Sequence, residues 1–414
     1  MEPYYDWLNS LVNKNKTEFA EWNQLRWINS RQALEAQQKR DELLARLDGN
    51  WLFRKTKPYH NQISDGCKLC GLGQWSCLFI TGKCNASCFY CPTTQQADHV
   101  PTTQNLSFDN AQAYAEYVNH FNFKGVSFSG GEPLLYFDRV LDYLKQVRKK
   151  CRPETYVWMY TNGILAETQK FRKLAAAGLN EIRFDIGATG YSLEKVKLAK
   201  GIIPNVSIEI PAVPEQKERV IRLLPEMIEA GVTNLNLHQL RLTKHNVRNL
   251  SKRNYTYIPA EQPIVLESEL AALEILTYAR EHSLDIGINY CSFHFKNRFQ
   301  KAGFRKQVAG ILANPDDVIT QNGYLRKNYD GSIAYKSMRL VDEKTGVNAT
   351  QEMELSNKKY YFFEEQMLKP TQLSAEEQAK VEAMLQHEPM EIPSDPLLFR
   401  IWQMEFIEKG LREY

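Results

Sequence analysis

The sequence predicts an α/β fold: a partial (β/α)6 TIM-like barrel over residues 61–300, with an N-terminal helical extension over 1–60 and a C-terminal α+β extension over 301–414. Three observations predict it. Short apolar runs recur at intervals of roughly 25 to 30 residues from residue 74 onward. Helix-forming segments fill the gaps between them, which reads as successive βα units on a parallel sheet. The chain has 414 residues, 43% of them hydrophobic and 24% charged, so it can bury a substantial core.

Residues 1–60 are polar and helix-rich; "RQALEAQQKRDELLARL" is a strong helix former with a modest apolar stripe, read as an arm packed on the core. The candidate strands are "WSCLFIT" (75–81), "GVSFSG" (125–130), "TYVWMYT" (155–161), "EIRFDI" (181–186), "NVSIEI" (205–210), "VTNLNL" (232–237) and "LDIGINY" (284–290). Between them lie "DNAQAYAEYVNHF", "DRVLDYLKQVRKK" and "ESELAALEILTYAREHS" as helices. Right-handed crossovers curl such units into a barrel, whose chemistry belongs at the C-terminal ends of the strands. After residue 300 the alternation fades into short antiparallel strands with turns at Asn322-Gly323 and Asp330-Gly331, then helices, one of them capped by Ser374.

The net charge is +3, from 52 basic and 49 acidic side chains, so no global field points to nucleic acid or membrane. The start, "MEPYYDWLNS", has no signal-peptide pattern, and no apolar run approaches the ~18 residues of a membrane span. A cytoplasmic location is expected. There, eight cysteines point to metal binding rather than disulfides, the more so because six of them crowd between Cys67 and Cys91.

The most specific stretch is "FITGKCNASCFYCPTT", residues 79–94, which sets Cys84, Cys88 and Cys91 just after the first strand. Structural zinc takes four ligands, one more than this loop supplies. A cubane iron–sulfur cluster has four iron corners, and three thiolates leave one of them open. C-x3-C-x2-C with Tyr90 before the last cysteine resembles the signature of the radical S-adenosylmethionine (radical SAM) superfamily. "SFSGGEP", ending the second strand, resembles that family's second motif through Ser129, Gly130, Gly131 and Glu132.

The resemblance implies a [4Fe–4S] cluster on Cys84, Cys88 and Cys91, with S-adenosylmethionine (SAM) on its open iron. It further implies an electron from a reducing partner such as flavodoxin or ferredoxin, and a 5′-deoxyadenosyl radical that abstracts hydrogen from a substrate. Glu132 is then expected to accept from the SAM ammonium, with the two glycines letting the backbone approach a ligand. Other strand ends supply further candidates for cofactor contact: Thr161 and Asn162 in "MYTNG", Asp185 beside Arg183 in "RFDIGATG", Glu209, and His238 with Gln239. Each of these reads equally well as a satisfied polar residue at the barrel mouth. The family's glycine-rich segment on the fifth strand is not recognisable here.

A second group is Cys67 and Cys70 in "DGCKLCGLG", with Cys291 in "INYCSFHFK". Three readings stand open: an auxiliary iron–sulfur cluster on the three, structural zinc completed by a histidine, or Cys291 as a free thiol that donates a hydrogen atom. Topology raises an objection to any shared site, since C-x2-C precedes the first strand at the bottom of the barrel and Cys291 ends the last strand at the top. Cys77 and Cys151 read as inert structural thiols. The stretch "SFHFKNRFQKAGFRK" interleaves five basic residues with four phenylalanines, read as an amphipathic helix in preference to a phosphate or base clamp. The whole arrangement resembles a poorly characterised group related to pyruvate formate-lyase activating enzymes. The substrate stays open among a peptide, an RNA and a small metabolite; a glycyl-radical-enzyme activase and a non-catalytic zinc-stabilised scaffold are the alternatives.

Overall fold

The computed structural model describes residues 2–47, 49–329, 331–342, 349, 351–408 and 410–414. Seven parallel strands form its centre: β1 (Trp75–Thr81), β2 (Gly125–Gly130), β3 (Tyr156–Thr161), β4 (Glu181–Phe184), β5 (Asn205–Pro211), β6 (Asn234–His238) and β7 (Gly287–Cys291). They pair in chain order from β1 to β7, so the expected six βα units are present and a seventh strand follows them. The edges do not meet: Lys57–His60 runs antiparallel along β7, and Thr102–Thr103 along β1. The barrel is therefore partial.

The strands alternate with period two, and the two faces differ in kind. Ile182, Val206, Ile208, Leu235, Leu237 and Ile288 bury outward under the helices. The intervening residues put Ser127, Glu181, Arg183, Ser207, Asn236 and Asn289 inside the barrel, all buried and polar. Among the covering helices, Phe137–Lys150 buries Val140, Tyr143, Leu144 and Val147, the i, i+3, i+4, i+7 stripe of an amphipathic helix. Its last turn, Arg148 to Lys150, places positive charge at the helix C-terminus. Leu266–Glu281 instead buries residues around most of its circumference, because the N-terminal helix Ser30–Arg46 covers its outer side. Arg40 and Glu269 pair at 3.8 Å in that seam, and Tyr414 lies against the guanidinium.

A helix from the N-terminal side fills the barrel. Asp65–Gly71, capped by the Ser64 hydroxyl, packs against β2 and β3 and carries Cys67 and Cys70. Arg183 donates to Ser64 Oγ at 2.9 Å and to both Glu181 oxygens, at 2.9 and 3.1 Å. A Cβ on Gly66 would lie 2.4 Å from the Arg183 guanidinium, so only glycine lets the helix pass so close. This entry into the barrel removes the topological objection to a shared site with Cys291.

The C-terminal region is a five-stranded antiparallel sheet with helices Ala375–Gln386 and Pro396–Glu405. Ser374 and Glu377 form the capping box expected from the sequence. Gly323 takes the positive φ of the Asn322-Gly323 turn, whereas Asp330 of the second expected turn lies outside the described residues. Among the described residues no helix is long and apolar enough to cross a membrane.

Both termini meet at the barrel mouth. Glu261 pairs with Arg298 at 2.6 Å and Arg412 at 3.3 Å, and both guanidinium groups lie against the Trp7 ring. Burial pushes the Glu261 carboxyl up, but Arg298 and Arg412 outweigh it and hold it at about 2 against an ordinary 4.5. The stabilisation is thus complete above about pH 4.5 and is lost as pH falls from there towards about 2. It amounts to about 3 kcal/mol. Acid unfolding followed by tryptophan fluorescence should show this loss in the native chain and lack it in Glu261→Gln; coincident curves would refute the assignment.

Candidate active site

A cavity of about 910 Å³ opens at the C-terminal ends of the strands, and Cys84, Cys88, Cys91, Cys67, Cys70 and Cys291 all line it. Its size falls near the top of the ~300–1,000 Å³ typical of ligand sites.

One wall is the loop after β1. Its neck closes where the Cys84 N–H donates to the Gln95 carbonyl at 3.0 Å, and the Cys91 N–H donates to the Cys88 carbonyl at 3.0 Å. From behind, Asn246 donates to the Tyr90 carbonyl at 3.1 Å and the Thr243 hydroxyl to the Pro92 carbonyl at 3.2 Å. The Cys84 sulfur accepts from the Ala86 N–H at 3.4 Å and from Asn162 Nδ2 at 3.6 Å. Among the described residues no three His, Cys, Asp or Glu side chains converge as ligands of one metal ion do. A cubane takes three thiolates at three separate irons. Three sulfurs on one loop, two donors aimed at one of them and a roomy cavity in front fit such a cluster.

Gly130 and Gly131 explain how this loop is held. The Gly131 N–H donates to the Thr81 carbonyl at 2.7 Å, and the Glu132 N–H to the Lys83 carbonyl at 2.9 Å. A Cβ on Gly131 would stand 2.1 Å from the Lys83 carbonyl oxygen, so the close approach is to the protein's own backbone. Ser129, Gly130 and Gly131 still line the cavity. Glu132, expected to hold the SAM ammonium, is fully buried instead. It accepts from the Leu134 N–H at 3.0 Å, the Thr161 hydroxyl at 2.8 Å and the Asn162 N–H at 2.7 Å. Its carboxylate ties β2 to β3.

Asp185 faces the cavity with the Tyr90 hydroxyl donating to both its oxygens, at 2.8 and 3.0 Å. Burial pushes its carboxyl up to about 6, against the pull of Tyr90 and the Gly187 N–H. Asn162 also lines the cavity and donates to Asn85 at 2.7 Å. Glu209 is held on two sides, by Arg183 at 2.7 Å and His238 Nε2 at 2.6 Å. Burial works against it, but Arg183 and His238 keep this carboxylate well below the usual range. His238 Nδ1 then lies 3.0 Å from Lys296 Nζ, and burial pulls the imidazole below its ordinary value.

Opposite the loop, Cys67, Cys70 and Cys291 line the cavity together with a cation that sequence reading missed. Lys57 Nζ donates to the Cys291 sulfur at 2.6 Å and sits 4.6 Å from the Phe295 ring. Lys57 is 1% exposed, and its recorded partners are sulfur and an aromatic face. Asn289 lies 3.9 Å from the Cys67 sulfur and 3.5 Å from that of Cys291; Gln300 donates to the Cys70 sulfur at 2.8 Å. Burial pushes the Cys70 thiol up to about 12, so it would lose its proton to solvent readily only as a metal cation binds the sulfur. Cys77 faces the cavity from β1, which corrects its reading as a thiol of the packed interior, while Cys151 is the structural thiol expected. In the basic aromatic stretch Phe295 and Phe299 are buried, as the amphipathic reading expects, while Phe293 and Lys296 line the cavity.

A parallel half-open barrel with a C-x3-C-x2-C loop at the end of its first strand defines a class, and comparison with known proteins agrees. Residues 78–238 match the family model described as the Radical SAM superfamily. A protein of Methanocaldococcus jannaschii, provisionally named a glycyl-radical enzyme activating enzyme, is 29% identical over 303 residues, which are 69% of this chain and 79% of that one. GTP 3′,8-cyclase of Sulfurimonas denitrificans is 24% identical over 260 residues, 62% of this chain and 78% of that one. Among solved structures, Streptococcus suis SuiB bound to precursor peptide SuiA gives a TM-score of 0.39 at 13% identity, covering 52% of this chain and 47% of that one. This chain spans about half the length of that solved chain, and a likeness at this score carries no argument about substrate.

Residues 78–238 thus carry a radical SAM domain, and over 69% of its length the chain is similar to a protein named as a glycyl-radical enzyme activating enzyme. It is an enzyme, which sets aside the non-catalytic scaffold, and its cofactors are those of the superfamily, a [4Fe–4S] cluster and SAM.

Proposed function

We propose that this enzyme cleaves SAM reductively and directs the resulting radical at a substrate held in the same cavity, beside a second, auxiliary cluster on Cys67, Cys70 and Cys291. A cluster bound on the loop after β1 would supply the electron for reductive cleavage of SAM. The remaining work falls to side chains. Cys84, Cys88 and Cys91 hold the cluster. Ser129, Gly130, Asn162 and Asp185 form the wall on which SAM lies, with Tyr90 and Glu132 keeping loop and strand ends in place. Lys57 compensates the negative charge of thiolates at the second site. The observation that carries this reading is the shared cavity, into which both three-cysteine groups open.

The electron comes from a small one-electron carrier, a flavodoxin or a ferredoxin. A second reading, activation of a glycyl-radical enzyme, draws on the archaeal relative, and its substrate is a protein backbone rather than a small molecule. The reconstituted enzyme, reduced without oxygen, is expected to form 5′-deoxyadenosine from SAM, and Cys88→Ala to form none above background. Absence of the product from the native enzyme would refute the proposal.

A further inference from the structure

The cavity carries more positive charge than its own carboxylates answer. Its three acidic residues are engaged: Glu209 by Arg183 and His238, Glu261 by Arg298 and Arg412, and Asp185 by Tyr90. Arg241 and Lys296 line the same cavity, both half-buried, and the structure records no ion pair for either. Arg241 donates to the neutral Gln262 at 2.6 Å, and Lys296 lies against a histidine nitrogen. Both approach the Phe293 ring, Arg241 at 5.0 Å and Lys296 at 4.7 Å from its centroid. Two cations thus share one aromatic ring, which attracts each of them but does not remove their mutual repulsion. Burial pulls both below their ordinary values, as expected of cations short of a counter-charge.

The local backbone supports a ligand role. A π-helical turn at Lys296–Gln300 interrupts the helix after β7, and such turns frequently occur at functional sites. It brings Lys296, Asn297 and Gln300 to the cavity together, with Gln300 on the Cys70 sulfur. Phe293, Lys296 and Gln300 therefore line the cavity from the Arg241–Lys296 pair to the second cysteine group.

We infer that Arg241 and Lys296 are the anion-binding pair for the substrate, which carries a phosphate or carboxylate group held over Phe293 beside Cys70 and Cys291. This rests on the proposed radical chemistry in the cavity. It names the substrate as a small anionic molecule, in preference to an uncharged protein backbone.

The test is calorimetry on the reconstituted full-length enzyme with SAM present, using inorganic pyrophosphate and succinate as probes. The native enzyme is expected to bind one of them, and which one separates phosphate from carboxylate. The double variant Arg241→Gln, Lys296→Gln should bind it at least about tenfold more weakly, while its SAM affinity stays within about twofold. Lys296→Arg should keep most of the affinity, which distinguishes loss of charge from loss of fold. Failure of the native enzyme to bind either probe would overturn the inference, as would unchanged binding in the double variant. A parallel fall in SAM affinity would also overturn it by assigning the pair to the SAM carboxylate. Iron content and 5′-deoxyadenosine formation report on the underlying chemistry separately, so the two failures are distinguishable.

Discussion

Glu132→Ala is expected to destabilise the enzyme by about 3–9 kcal/mol, because three buried donors lose their acceptor and each unsatisfied group costs about 1–3 kcal/mol. The donors are the Leu134 and Asn162 N–H groups and the Thr161 hydroxyl, all meeting a carboxylate that is fully buried. A loss of that size is a large fraction of the ~5–15 kcal/mol that holds a typical domain together. The damage reaches the cysteine loop through Asn162, whose side chain donates to Asn85 and the Cys84 sulfur. Glu132→Gln should fall between the two, since one of its amide positions must turn a donor towards the Asn162 N–H or the Thr161 hydroxyl. Melting curves and SAM affinity together decide the residue's role. A positioning residue lowers the melting temperature, iron retention and SAM affinity together. A SAM ligand would lower affinity alone, and that outcome would contradict the structure.

The strands were legible because each keeps two rows with separate tasks. In "NVSIEI" the apolar residues go to the helices and Ser207 and Glu209 to the interior, so period and composition agree. The cysteine loop was legible because its three ligands are local in sequence. Glu132 was not legible, because a carboxylate after two glycines looks the same whether it meets a ligand or three backbone and hydroxyl donors. Lys57 was harder still: it lies 234 residues from its partner Cys291, within a segment read as a helical arm. What brings them together is the antiparallel pairing of Lys57–His60 with β7, which no local pattern announces. Lys296 stood in a stretch whose phenylalanines do pack in the core, and the π-helical turn that brings it to the cavity leaves no compositional trace.

The second large effect concerns the second cysteine group. A buried ammonium without a carboxylate is costly unless another anion answers it. Lys57 is buried on the Cys291 sulfur with Cys67 and Cys70 near enough to act on its charge. Thiolates of the proposed auxiliary cluster would provide that anion, and Gln300 and Asn289 place donors on the Cys70 and Cys67 sulfurs. Zinc would need a fourth ligand beside these three cysteines, and a free thiol at Cys291 would leave Lys57 with a neutral partner.

The decisive measurement is therefore iron and sulfide content in the full-length variant Cys84→Ala, Cys88→Ala, Cys91→Ala, reconstituted without oxygen and freed of unbound metal. The proposed cubane on Cys67, Cys70 and Cys291 predicts that about four of each per chain remain, with SAM cleavage abolished. Iron and sulfide both absent would contradict the account and leave Cys291 a thiol in a cavity with one cluster.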